Sequence, residues 1–319
     1  MTIHNSIPIR TALCLSTFVL LFSCRTFRPG LSGPVSEAAS PEELKAQWTP
    51  FAEELTPGLS FFAGRVKNPR LELWALRVDL DEPGLRIVVN GGPPEYQPGH
   101  VPSTTVSGFV KQYGCLAGIN ANPFSPVSGR EGEDRRVEGV AVSEGRVAVL
   151  PNPAFDALVF LENPGSAAGR QAAIVSQADL EGEALEKIQD AVGGFYIVLR
   201  QGVLPERLVQ QKGKQPRHPR SAAGLSSDGK ILYLLAVDGR RLGSVGATEA
   251  ELGIILRQLG AAWGLNFDGG GSTALVLKDT RGRIKAVNTP IHRHIPGWER
   301  GVAVCLGIAL APSREERPD

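Results

Sequence analysis

The chain has 319 residues, 42% of them hydrophobic and 21% charged, which is enough apolar material for a sizeable core. The formal net charge is +1, so neither a basic surface for nucleic acid nor an acidic solvating tail is indicated. Glycine (37) and proline (24) are frequent, which favours many turns and short strands over a helical bundle.

The first stretch reads as an export signal. Arg10 precedes an apolar run, Ala12 to Phe22, of signal-peptide length. It ends in Leu21-Phe22-Ser23-Cys24, a lipobox-like pattern in which Cys24 would become the lipidated N-terminus after cleavage. A simple secretory signal with an incidental cysteine is the other reading. The expected layout is a lipoprotein signal peptide over 1–24, a tether and entry segment over 25–58, a folded domain over 59–312 and a polar tail over 313–319. The expected location is a bacterial cell envelope, with membrane attachment through Cys24. Cys115 and Cys305 then remain, each in an apolar run; they could pair in an oxidising compartment or serve as buried small hydrophobes. No cysteine or histidine spacing suggests a zinc site.

Strands are expected at Leu71–Val78 and Leu85–Val89, then a helix from Val101 to Tyr113 capped by Ser103 or Thr104 and stopped by Gly114. Cys115 to Ile119 reads as a buried strand ending in a polar elbow, Asn120-Ala121-Asn122-Pro123-Phe124. Gly129 to Arg136 is charged and reads as a mobile loop. Val137–Val142 and Arg146–Val149 form a hairpin, Ala157–Leu161 a strand, and Ala178 to Val192 a helix stopped by Gly193-Gly194. Phe195–Arg200 and Val203–Leu204 pair next. The loop Gln210 to Pro219 carries Lys212, Lys214, Arg217 and His218 and delivers Arg220 to a strand, Ser221–Leu225. Ile231–Val237 is a strand ending at Asp238-Gly239-Arg240-Arg241. Thr248 and Glu251 form a capping box for a helix whose Leu252, Ile255, Leu256 and Leu259 repeat at helical spacing, with Gly260 as its stop. A hairpin, Leu275–Leu277 with Ile284–Val287, follows. Then comes a loop with His292, His294 and Trp298, read as solvated, and a final strand, Val302–Leu310.

The stretch that carries chemistry is Asn266-Phe267-Asp268-Gly269-Gly270-Gly271-Ser272, set between two apolar runs. Three glycines in succession weaken any strand, so the backbone there must bend or lie against something. It is not a phosphate-binding P-loop, because no lysine follows. Nor is it a nucleophile elbow, because the spacing around Ser272 fails.

With the elbow Gly118 to Phe124, Arg220 before a strand, Asp238-Gly239-Arg240, the Thr248…Glu251 helix start, the glycine run, Asn288 and Glu299-Arg300 in this order, the chain resembles the phosphodiester glycosidase family over roughly residues 70–310. It departs from that family's pattern at Asn122-Pro123, at Gly243 to Thr248 and at Phe267.

The expected fold is α/β (α+β): one domain of about 250–270 residues with a central mixed β-sheet and flanking helices. The resemblance implies hydrolysis of a sugar from a phosphodiester at the anomeric carbon, in envelope or extracellular glycans. The departing phosphate is a weak base and needs little protonation, so an anion site matters more than a general acid. Asp268, Asp238 and Glu251 are the candidate catalytic groups. Arg220, Arg240 and Arg300 are candidate phosphate ligands, Gly269, Gly270 and Gly271 a candidate backbone nest, and Ser272 a further candidate for binding substrate. Asn120, Asn122 and Asn266 are candidates for orienting sugar hydroxyls. Plainer roles stand beside these: turn former or metal ligand for Asp238, capping residue for Glu251, surface ion pairs for Arg240 and Arg300. A divalent cation is compatible with the set but not required by it. A non-catalytic glycan-binding envelope lipoprotein using the same groove is the alternative function.

Overall fold

Ile231–Val237 shows how the chain is layered. Leu232, Leu234 and Ala236 enter one core, while Tyr233, Leu235 and Val237 enter a second on the opposite face. Side chains alternate across a strand, so an uninterrupted apolar run is what a strand buried on both faces requires. The computed structural model describes residues 44–49, 53–92, 97–127, 130–211 and 215–312. The signal peptide with Cys24, most of the tether, Lys212, Lys214 and the polar tail lie outside the described residues.

Four sheets are formed among the described residues. The large sheet has eight strands. Its path runs Gln47–Trp48, Leu59–Val66, Leu71–Asp79, Ile231–Val237, Arg220–Leu225, Trp263–Asn266 and Tyr196–Leu199, with Glu53–Thr56 paired to Leu59–Val66. A second sheet of five strands contains Ala141–Ser143, Ile188–Gly194 and Asp156–Glu162 in its middle. A third, also of five, centres on Leu275–Lys278, Ala117–Asn120 and Cys305–Leu310. A small sheet joins His100–Pro102, Asp134–Val137 and Phe124–Ser125.

One core collects residues from the first three: Leu76 and Leu234 of the large sheet, Leu158 and Phe160 of the second, Ile119 and Leu306 of the third. A second core lies between the large sheet and the helix Glu249–Leu259, and a third, smaller one gathers Val142, Val159 and Ala191 of the second sheet. Leu44 joins that second core, and Gln47–Trp48 pairs with Gly64 and Arg65, so ordered structure begins well upstream of Leu59.

This is a mainly β architecture, not a central mixed sheet flanked by helices. Every pairing between the described strands is antiparallel. The expected helix over 178–192 accounts for much of the difference. Its Ala, Leu and Glu residues yield one helical turn, Glu183–Glu186, and the rest becomes the strand Ile188–Gly194 between two others. Gly193 and Gly194 end that strand rather than cap a helix, and tertiary pairing overrides local propensity.

The first helix is shorter than expected, Val106–Gln112, with Thr105 rather than Ser103 or Thr104 as its cap. Val101 belongs instead to a strand. The charged stretch at 129–136 is not simply a mobile loop: Asp134–Val137 is a strand, and Arg135 is buried with its guanidinium donating to the Asp134 and Arg130 carbonyls. Cys115 and Cys305 are free and buried, with thiols pushed up by desolvation, Cys115 to about 11. They act as packing atoms: a Cβ at Gly307 would lie 2.7 Å from both the Cys115 Sγ and the Phe109 ring.

The capping box forms as the sequence indicates. Thr248 Oγ1 accepts from Glu251 N at 3.2 Å, Glu251 Oε2 accepts from Thr248 N at 3.0 Å, and Gly260 closes the helix with φ 106°. Thr248→Ala is expected to lower stability by about 1 kcal/mol, the usual worth of such a cap, as read from urea unfolding midpoints. An unchanged midpoint would show that tertiary packing alone sets this helix start.

Candidate active site

Three strand ends of the large sheet meet at one edge. Arg220 begins its strand opposite Val237, the end of the next, and Asn266 ends its strand opposite Ala222. The third sheet brings the end of Ala117–Asn120 to the start of Leu275–Lys278 and Cys305–Leu310. The glycine run is the chain's passage from the large sheet to the third. That crossing, with the short turn Gly270–Ser272, explains why both flanks are strands and the middle is not.

Asn120 fixes the crossing. Its Nδ2 donates to the Asp268 carbonyl at 2.7 Å, and its Oδ1 accepts from Ser221 Oγ at 2.7 Å and from Ala274 N at 3.2 Å. The Asp268 N–H donates to the Ala121 carbonyl at 2.8 Å. The Asp268 backbone is thus pinned on both sides. Its side chain is not: Oδ1 accepts from Gly269 N at 3.0 Å, while Oδ2 is buried without a partner. Desolvation pushes its pKa up to about 6, against the pull of the Ser272 hydroxyl, the Arg300 charge and the Gly269 N–H. A buried, unpartnered carboxylate oxygen is costly, and such strain concentrates where chemistry needs it.

Each of the three glycines lies against an arginine. A Cβ at Gly269 would meet the Pro219 carbonyl at 2.7 Å and Arg220 Cδ at 3.8 Å. At Gly270, where φ is +64°, it would lie 2.9 Å from Arg240 Nη2, and at Gly271 it would lie 2.5 Å from Arg300 Nη2. At Gly270 and Gly271 the missing side chains are therefore room for guanidinium groups, whereas at Gly269 the space is taken by the Pro219 backbone carbonyl. The amides do not form the expected nest, because Gly269 N–H turns to Asp268 and Gly270 N–H donates to the Pro219 carbonyl at 2.8 Å.

The arginines differ in their partners. Arg220 is buried, donates to the Ala247 carbonyl at 3.1 Å and faces Glu249 at 3.6 Å. It is largely neutralised and serves the scaffold. Arg300 donates from Nε to His292 Nδ1 at 3.1 Å and from Nη1 to Ser272 Oγ at 3.1 Å. Arg240, at φ +59°, lies 3.4 Å from His218 Nδ1. Neither Arg240 nor Arg300 forms an ion pair with a carboxylate among the described residues, so the surface ion pairs considered for them are not made there.

The other candidates are occupied elsewhere. Asp238 is fully buried; its oxygens accept from Thr289 N at 3.0 and 3.2 Å, Asn288 Nδ2 at 3.2 Å and Arg241 Nη2 at 2.5 Å. It ties the end of Ile231–Val237 to the loop that leads to Arg300, and both of its oxygens have partners, unlike those of Asp268. Glu251 pairs with Arg217 through two bonds of 2.6 Å besides its capping bond, so it too is structural. Asn122 accepts from Gly193 N at 2.9 Å and donates to the Val140 carbonyl at 3.0 Å, stapling the elbow to the second sheet. Asn266 is buried, and its Oδ1 has no hydrogen-bond partner.

His218 and His292 are missing from the sequence-derived site. His292 is buried against Trp298, with ring centroids 5.2 Å apart, not solvated as its loop position suggested. No spacing in the sequence ties either histidine to its arginine; the contacts are tertiary. Among the described residues, no group of three or more His, Cys, Asp or Glu could hold a metal ion.

Residues 113–309, more than half of the chain, match the model of the phosphodiester glycosidase family. The chain belongs to that family. Among solved structures, it is similar to the zebrafish N-acetylglucosamine-1-phosphodiester α-N-acetylglucosaminidase catalytic domain auto-inhibited by its pro-peptide: 18% identity, TM-score 0.58, covering 83% of this chain and 88% of that one. It is also similar to a hypothetical protein from Synechocystis, at 15% identity and TM-score 0.56. That match covers 82% of this chain but 64% of the Synechocystis protein, less than two thirds of its length. At such identities these likenesses concern the fold. No curated protein matches the chain.

Asp268 carries a stability consequence. Its folded pKa lies above the unfolded value, so the folded state retains the proton between pH 3.8 and about 6, and ionisation above that window costs stability. Asp268→Asn is expected to stabilise the protein at pH 7.5 by about 1–3 kcal/mol, the order that the raised pKa implies. The gain should shrink as pH falls through 6 towards 4, measured by thermal unfolding across pH. A pH-independent effect would contradict the buried-carboxylate assignment.

Proposed function

We propose that this protein hydrolyses the glycosidic bond of sugar-1-phosphodiesters, with Asp268 as its working carboxylate. The observation that carries this reading is the pairing of opposites at the glycine run. One buried carboxylate oxygen without a hydrogen-bond partner opens a run whose next glycines, Gly270 and Gly271, lie against Arg240 and Arg300, two guanidinium groups whose own hydrogen-bond partners are neutral.

The chemistry suits that arrangement. Cleavage breaks the bond from the anomeric carbon to the bridging oxygen, and the electron pair leaves with the phosphate. A phosphodiester monoanion becomes a phosphomonoester, whose second pKa near 6 makes it a good leaving group without a general acid. Negative charge grows on the phosphate as the bond breaks. Arg240 and Arg300 would bind that charge more strongly in the transition state than in the substrate, which is what accelerates a reaction. Ionised Asp268 would face the positive charge developing on the sugar ring, attacking it or accepting a proton from the attacking water. Asn266, whose Oδ1 has no partner, would be the asparagine to accept from a sugar hydroxyl. Asp238, Asn120, Asn122 and Glu251 hold this frame in place.

A soluble form lacking residues 1–24 should release free sugar from sugar-1-phosphodiesters. It should leave the corresponding alkyl glycosides, which need an acid, uncleaved. Turnover should rise with pH through an apparent pKa of about 6, as Asp268 ionises. Asp268→Asn should lower kcat by about a thousandfold or more. Saturable binding of the phosphodiester with no turnover in the unaltered protein would instead favour the glycan-binding alternative.

We further propose export to a bacterial envelope with lipidation at Cys24, on the strength of Leu21-Phe22-Ser23-Cys24 after an apolar run. Mass spectrometry of the membrane fraction should find the mature N-terminus at a diacylated Cys24, and Cys24→Ala should release the protein from membranes. An unmodified N-terminus elsewhere would exclude the anchor.

A further inference from the structure

The two free arginines share an unusual feature: each is held by a histidine. Arg300 Nε donates to His292 Nδ1 at 3.1 Å, and Arg240 Nη2 lies 3.4 Å from His218 Nδ1. A guanidinium can only donate, so both Nδ1 atoms must be acceptors, and each imidazole must be neutral with its proton on Nε2. The surroundings favour that state. His218 faces Arg220 and Arg240, His292 faces Arg300 and Arg293, and burial together with these charges holds both imidazoles below the usual histidine range. Glu249 is committed to Arg207 and Arg220, and Glu251 to Arg217, which leaves Asp268 as the carboxylate whose charge Arg300 feels, without an ion-pair contact between them among the described residues. Both histidines are themselves anchored. His292 N–H donates to the Trp298 carbonyl at 3.0 Å, and the His218 backbone exchanges bonds of 3.2 and 3.0 Å with Ala247.

The choice of partner has a physical consequence. Arginine is usually held in place by a carboxylate, which fixes its geometry but cancels its charge. A neutral imidazole fixes one N–H and leaves the full positive charge available to an anion. We propose that His218 and His292 are positioning residues that hold Arg240 and Arg300 against Gly270 and Gly271 as a two-cation clamp for the phosphate of the substrate. This inference rests on the glycosidase reading for the identity of the anion, but not for the existence of the clamp.

The test uses sulfate, a phosphate mimic of constant charge near neutrality, titrated calorimetrically into the full chain at pH 7.5. Kinetics with a sugar-1-phosphodiester run in parallel. His218→Ala and His292→Ala should each weaken sulfate binding and raise KM about tenfold, the worth of one charge-assisted hydrogen bond, with kcat changed far less. His292→Gln and His218→Gln keep a neutral acceptor and should recover most of the affinity. His292→Glu keeps an acceptor but neutralises Arg300, and should bind sulfate no better than His292→Ala. Affinity unaffected by the alanine variants, or a glutamate variant as good as the glutamine one, would overturn the clamp. Sulfate binding that follows this order in a protein without turnover would sink the glycosidase reading and leave the clamp standing.

Discussion

Everything at the candidate site depends on one amide. Asn120 stands at the end of a strand in the third sheet and reaches the large sheet through Ser221, the onward strand through Ala274, and the acid through the Asp268 carbonyl. It is 1% exposed, and these bonds engage both ends of its amide. Two sheets that share a hydrophobic core could slide relative to one another by small amounts at little cost, because apolar contact is not directional. A buried amide that bridges them cannot follow such a slide without leaving donors and acceptors unpaired. Asn120 therefore converts a loose apolar interface into a fixed register, and the Asp268 backbone is part of that register.

With the backbone fixed, the glycine run can be left without side chains and its neighbours brought close. Arg240 and Arg300 approach to distances at which any Cβ on Gly270 or Gly271 would collide with them. The cost of unpaired groups is confined to few atoms, among them Asp268 Oδ2 and Asn266 Oδ1. The supporting carboxylate and amide groups have partners: Asp238 in Thr289, Asn288 and Arg241, Glu251 in Arg217 and its cap, Asn122 in the Gly193 N–H and the Val140 carbonyl. Arg241 Nε and Thr273 Oγ1 are also buried without partners, so the frame is held by its carboxylate and amide groups rather than by complete saturation.

Local readings of the chain succeeded where the governing interaction is local. The capping box at Thr248 and Glu251 involves residues three apart, and the strand Ile231–Val237 announces itself by an apolar run flanked by turns; both occur where expected. The helix expected over 178–192 failed because its alternative, pairing with Ala141–Ser143 and Asp156–Glu162, lies in other parts of the chain. The same limit explains the site. Asp268 and its glycines were legible because composition alone marks them as neither strand nor ordinary turn. Asp238 and Asn122 looked like functional candidates because nothing local shows that their polar atoms are already occupied.

The sequence by itself therefore determined where the candidate site lies, the helix that precedes it and the identity of the acid in it, since each is a property of consecutive residues. Tertiary structure decided which polar residues remain free to act. It separated Asp268 from Asp238 and Glu251, and Arg240 and Arg300 from Arg220. It also brought two histidines far apart in the chain, His218 and His292, each to one arginine, His292 at the Arg300 Nε and His218 at an Arg240 Nη. Availability of a hydrogen-bonding group depends on what surrounds it in space, and only the folded chain specifies those surroundings.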